Sequence, residues 1–248
     1  MEVHMPEEPV YTWKQFWIHL GTISAGLLIA LGLEHAVAAA HRVHERHDLQ
    51  RELHDEGERN EETLKMDFDR IAALKSSLIA WHRQVDDAIA KGGGLSDTRT
   101  PSASTGTVAL PSQAMWDSAK ASGRVALLSN DQNAVYAYLY QQEERLKTQE
   151  RDWMGVAVEK QEFERRFERS FENTGNDSAP DFSKMSVEDL KNYSAVLNRE
   201  IAEIDEMTIL LRYFDAANRA VLEGADSQED VVRRVDEKRI AGGFVPTS

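Results

Sequence analysis

Four histidines, His41, His44, His47 and His54, run together with Glu45 and Asp48 in a strongly polar stretch, and their types and spacing come nearest to chemistry in this chain. On a helix His41 and His44 stand about one turn apart, His44 and Asp48 lie four positions apart, and His47 and His54 are one heptad apart, so adjacent pairs share a face. Neutral imidazoles placed this way bind zinc, copper or nickel, and imidazoles near neutrality can also report pH by changing charge. A tight metal site, however, needs several ligands aimed at one point, and the four histidines do not converge on one face. His41, His44, His47 and Asp48 are therefore candidate ligands set against the plainer reading of solvated side chains on a stalk. No resident metal or other cofactor is expected.

Other sequences that carry chemistry are missing. No histidine has a Glu three residues before it, which opposes a ferritin-like carboxylate site, and neither His-Glu-x-x-His nor Gly-x-Ser-x-Gly occurs. Gly92-Gly93-Gly94 lacks the Lys-Ser/Thr that would make it a phosphate-binding loop, and it reads as a linker. The chain has no Cys, which removes disulfides, thiolate zinc sites and cysteine nucleophiles. No catalytic residue is assigned, and no enzymatic activity is expected. Phe163, Phe167 and Phe171, at fourfold spacing, read as core packing, and Glu143-Glu144 as part of a solvated face.

The elements that must carry these residues begin with an uncharged run at 16–33, with Tyr11, Trp13 and Trp17 gathered at its start, aromatic rings suited to a lipid-water boundary. A secretory signal peptide would have a basic start and a shorter core, whereas Glu2, Glu7 and Glu8 outnumber Lys14 here. A buried core helix is the other alternative. The preferred reading is one transmembrane helix over 14–40, after a tail at 1–13. Within it Thr22, Gly26 and Ala30 recur every four residues, and Gly21 with Ala25 forms a second small pair, a spacing that lets helices approach and self-associate.

Beyond the membrane run, 41–63 reads as a polar helical stalk with only Val43, Leu49 and Leu53 to pack, weakened at Gly57. From Leu64 the stripe thickens through Phe68, Ile71, Leu74, Leu78, Trp81, Val85 and Ile89. A Gly-, Pro- and Ser-rich flexible loop follows at 91–113. Then come a short helix with Trp116, ended by Gly123, and a long helix capped by Asn130 or Asp131. Ser186 and Asp189 form a capping-box start for a third long helix, which stops at Gly224. Ser227 opens a last short helix, and 241–248 frays. The fold class is all-α: an N-terminal transmembrane helix continuing into a long helix that packs in an antiparallel bundle over 64–240.

The formal net charge of −14 opposes nucleic acid as a partner. The partners expected are the lipid bilayer through the N-terminal helix, further copies of the chain, and a protein whose identity the sequence does not give. Trp13-Lys14-Gln15-Phe16, the Gly-Leu-Leu-Ile-Ala run at 26–30, and Trp116-Asp-Ser-Ala119 ending at Ser122-Gly123 before Leu127-Leu128 are similar to a widespread group of bacterial single-pass inner-membrane proteins without an established activity. The resemblance implies a bacterial inner-membrane location with the helical domain in the periplasm. Lys14 on one side against Arg42, Arg46 and Arg51 on the other favours a cytoplasmic domain by the positive-inside rule. The expected role is a membrane-anchored interaction or scaffold protein, with a tethered sensor of ligand or pH as the alternative.

Overall fold

The computed structural model describes residues 13–93, 108–167 and 182–242 and divides into two compact units, Met1–Gln50 and Arg51–Ser248. Tyr11, Phe171, most of the 91–113 loop and the end from 243 lie outside the described residues. The first helix, α1, spans Trp13–Ala90 as a single element. In the first unit every residue from 13 to 44 is exposed, and the apolar window of this helix, long enough to cross a membrane, has none of its residues buried. Trp13, Phe16 and Trp17 cluster at its start, with ring centroids 5.4 to 5.9 Å apart.

The second unit contains the remainder of α1 with α2 (Ala114–Ala121), α3 (Asn130–Arg165), α4 (Val187–Leu222) and α5 (Gln228–Gly242). No strand occurs among the described residues, as the all-α reading requires. Partners run in opposite order along neighbouring helices. Asn218, Asp205 and Tyr193 of α4 meet Gly57, Lys75 and Trp81 of α1. On the other side, Glu203, Glu200 and Tyr193 meet Gln149, Lys160 and Glu164 of α3. Both α1 and α3 are thus antiparallel to α4, the central helix.

The expected stripes form the core. Leu64, Ile71, Leu78, Trp81 and Val85 of α1 pack with Leu190, Tyr193, Leu197, Ile204, Leu211 and Phe214 of α4 and with Leu146, Trp153 and Phe163 of α3. A smaller cluster joins Val135 and Leu139 to Ala216, Ala217 and Ala220 and to Val231 and Val235 of α5. At about 25 cal/mol per Å² of apolar surface this burial is the main favourable term.

Local chemistry sets the helix ends. Ser186 accepts from the Asp189 N–H at 3.1 Å and Asp189 accepts from the Ser186 N–H at 3.0 Å, so the shorter acid completes the box. Gly123 and Gly224 have φ of 74° and 86°, the left-handed conformation that the ends of α2 and α4 require. The start of α3 differs from expectation. Its cap is Ser129, which pairs reciprocally with Gln132, because a residue with extended backbone and a free hydroxyl precedes Asn130.

Three further expectations change. Packing begins before Leu64: Leu53, Glu56, Gly57 and Asn60 are buried, so 51–63 belongs to the bundle and is not a solvated stalk. Gly57 does not weaken the helix by bending it; it lets α4 come close. A Cβ there would lie 3.0 Å from Leu222 Cδ2 and 3.2 Å from Asn218 Oδ1, and Asn218 donates to the Gly57 carbonyl at 2.8 Å. Glu144 is solvated as expected, but Glu143 is only 4% exposed and belongs to the packed side, where Lys147 reaches it at 2.8 Å.

Candidate functional site

Positions 57, 64, 71, 78 and 85 of α1 fall on one heptad series, and 53, 60, 67, 74, 81 and 88 on the other, the two seams of a packed helix. Asn60 and Asp67 therefore occupy core positions with polar side chains, and Glu56 flanks them. They face the segment 108–113, which returns to the bundle without helix or strand and needs partners for its main-chain groups. Asn60 donates to the Ser112 carbonyl at 2.8 Å and accepts from the Ser112 N–H at 2.7 Å. Glu56 Oε1 accepts from the Ser112 hydroxyl at 3.0 Å and from the Met115 N–H at 3.1 Å. Gln113, which precedes α2, makes no side-chain cap bond, so Glu56 on another helix supplies the acceptor at the α2 start. One turn further back, Arg124 reaches Glu52 at 2.8 Å.

This strap fits incompletely. The Asp67 side chain is about 1% exposed and its Oδ2 has no hydrogen-bond partner, nor has Gln113 Oε1. Each such buried acceptor costs about 1 to 3 kcal/mol. Burial raises the Asp67 pKa above its ordinary 3.8, against the Ala109 backbone amide and Arg70, which lower it. Beside the strap a cavity of about 30 Å³ is lined by Glu56, Asn60, Gln113, Trp116, Tyr136 and Asn218 among others, room for water-sized occupants only.

A second polar cluster joins α1 and α4. Ser194 Oγ lies 2.9 Å from His82 Nε2 and donates to Asp86 Oδ1 at 2.9 Å, while His82 Nδ1 lies 3.2 Å from Asp86 Oδ2. The residue types are those of a hydrolytic triad, but the connection differs. In a working triad the acid orients the imidazole and the serine gives its proton to the imidazole. Here the serine hydroxyl donates its hydrogen bond to the acid instead of to the imidazole. Ser194 also sits inside α4, whose backbone N–H groups are used in the helix and cannot form an oxyanion hole. The cluster is a polar strut between two helices.

Between α3 and α4, Lys160 meets both oxygens of Glu200, at 2.9 and 2.7 Å, and Tyr193 donates to Glu164 while accepting from Trp81 Nε1 at 3.0 Å. Burial, then the Glu164 charge, pushes the Tyr193 phenol far up, so it stays a neutral donor. An open groove of about 620 Å³ between α1 and α4 is lined by Phe68, Ile71, Lys75, Thr208, Arg212 and Arg219 among others. Two of its cations are already paired: Lys75 with Asp205, and Arg219 with Asp215 and Glu61.

The histidine candidates are not brought together. His41 lies 3.2 Å from Glu45, and His44 lies 3.4 Å from Asp48, each with an acid one turn along its own helix. Among the described residues no group of three or more His, Cys, Asp or Glu could hold a metal ion. In the apolar segment Thr22 donates to the Ile18 carbonyl at 2.9 Å, and a Cβ at Gly21 or Gly26 would meet nothing within 4 Å. Ala25 and Ala30 are exposed on the same segment. No family model, curated protein or solved structure matches the chain.

Proposed function

We propose that the chain is a membrane-anchored helical interaction protein, with 14–40 crossing a bacterial inner membrane once and the helical unit from 51 onward offering surfaces to a protein partner. One observation carries the reading. The N-terminal segment of α1 is as apolar as a core helix, yet none of its apolar window is buried, while further along the same helix Leu64, Leu78 and Trp81 are nearly inaccessible. Apolar surface on that scale needs a non-aqueous environment, and hydrocarbon supplies one. The aromatic cluster at Trp13, Phe16 and Trp17 suits the interface. The resemblance favours a periplasmic domain, and fusions at the C-terminus decide between the two sides: alkaline-phosphatase activity is expected, and fluorescence of a cytoplasm-dependent reporter would overturn the periplasmic placement.

Alkaline washing of membranes from cells making the full chain tests the anchor. The protein is expected in the pellet, and an Ile23→Asp, Leu28→Arg variant in the supernatant. Release of the wild type, or a mature N-terminus near Ala40, overturns the anchor. Self-association through Thr22, Gly26 and Ala30 is tested by crosslinking in membranes: Gly26→Ile is expected to remove the crosslinked species.

A further inference from the structure

We propose that the face of α1 bearing Glu56, Asn60 and Asp67 is a binding site for a short non-helical polypeptide segment, occupied here by the chain's own residues 108–113, and that a protein partner engages it by displacing this strap. The proposal rests on the reading of the chain as an interaction protein and names the surface and the kind of partner.

The contacts are of the kind that hold peptides. Asn60 addresses the N–H and the carbonyl of a single residue, Ser112, and Glu56 takes the Met115 N–H together with the Ser112 hydroxyl, so three of the four polar contacts are to main chain. Selectivity comes from the buried side chains. Val108, Pro111 and Gln113 are buried, Leu110 is half-buried and Ala109 and Ser112 are exposed, so two small apolar residues three positions apart anchor the segment. A partner segment with apolar residues at these two positions would find the same pockets and the same main-chain partners.

Three features make the strap replaceable. Its fit leaves Asp67 Oδ2, on one of the least accessible polar side chains of the molecule, without a donor. Its C-terminal end joins α2 through a cap residue that makes no side-chain bond. Before it, α1 ends in Gly92 and Gly93 with φ of 87° and 110°, a turn that touches the bundle only lightly: a Cβ at Gly92 would meet nothing within 4 Å and one at Gly93 only Val187 Cγ2, at 3.5 Å. The preferred partner is thus a short segment with two small apolar anchors three positions apart, seated where Val108 and Pro111 now lie.

The test uses the full chain in nanodiscs and fluorescent peptides of sequence 108–116, one native and one with Val108→Asp and Pro111→Asp. Wild type is expected to bind the native peptide weakly, since the strap competes at high effective concentration. Val108→Asp, which unseats the strap, should tighten binding at least tenfold, and adding Asn60→Ala should reverse the gain. The peptide lacking both apolar anchors should show no saturable binding to the Val108→Asp chain. No saturable binding of the native peptide to a helical Val108→Asp chain overturns the proposal. If that variant does not fold, amide exchange of the wild type decides. Exchange of the Ser112 and Met115 amides at least a hundredfold faster than the α4 core supports a displaceable strap, and exchange only with the core overturns it. A chain that fails to anchor in membranes but binds peptide refutes the anchor alone, and the converse refutes this site alone.

Discussion

Glu200 on α4 and Asp67 on α1 are both buried acids, yet Lys160 meets both oxygens of Glu200, at 2.9 and 2.7 Å, whereas one oxygen of Asp67 meets nothing. The α3–α4 seam closes its buried charge within two helices. The α1–strap seam relies on a returning loop segment, and what the segment does not reach stays unsatisfied. A helix can present a partner at any height along its neighbour, but a non-helical segment of six residues offers few groups, and Pro111 offers no N–H at all. Rigidity and replaceability are thus divided between two seams of one bundle.

Removing the cation from the closed seam is expected to have the largest effect. Lys160→Met leaves the Glu200 carboxylate buried and unpaired, a loss of about 3 to 5 kcal/mol. Urea unfolding should show it, and the double variant with Glu200→Met should recover most of the stability, since two apolar side chains leave no orphan. The exposed pair Arg199 and Glu159, just outside, should lose less than about 1 kcal/mol when broken. Equal losses at both pairs would refute the contrast between closed and solvated charge.

On the open seam Asn60→Ala removes two hydrogen bonds from Ser112, but Ser112 is exposed and water can replace part of what is lost. About 1 to 2 kcal/mol is expected, with the loss confined to faster amide exchange at 109–115 if the strap opens by itself.

Asp67 gives the same seam a pH signature. Its folded pKa is raised, so the folded state favours the protonated acid, and this contribution is fully present below about pH 3.8 and lost as pH rises through the folded value. Asp67→Asn should therefore raise the melting temperature at pH 7 and converge with wild type in acid. A gain that is independent of pH would assign the cost to shape and not to charge.

Much of this architecture was legible in the residues, because it is local. Ser186 with Asp189, Gly123 and Gly224 mark helix ends through groups one turn apart, and the stripes of α1 and α4 repeat regularly. The strap seam was not legible, because Glu56, Asn60 and Asp67 are acid and amide residues whose partners lie more than forty positions away in sequence. A signal did exist. The heptad series through Leu64, Ile71, Leu78 and Val85, stepped backward, passes through Gly57, and its companion through Leu74 and Trp81 passes through Asp67 and Asn60. Polar residues at seam positions call for a partner with main-chain groups, and the stretch after the Gly-rich loop was the available one. The pair His82 and Ser194 went unseen for the same reason of distance.

The smallest effects distinguish two helical glycines that composition treats alike. Exchange of Gly for Ala in a helix interior gains about 1 kcal/mol in backbone propensity. At Gly155 on α3 the residue is exposed and a Cβ would meet nothing within 4 Å, so the full gain is expected. At Gly57 the same Cβ would stand 3.0 Å from Leu222 Cδ2 and 3.2 Å from Asn218 Oδ1. Leu222 can swing away, since it is only half-buried at the end of α4, but Asn218 is 2% exposed and fixed by its bond to the Gly57 carbonyl. Crowding of this kind costs about 1 to 3 kcal/mol, so Gly57→Ala should come out destabilising by about 1 kcal/mol after the propensity gain. Opposite signs for the two substitutions, read from urea midpoints at unchanged slope, would establish Gly57 as a close-packing position; a gain at both would return it to an ordinary helical glycine.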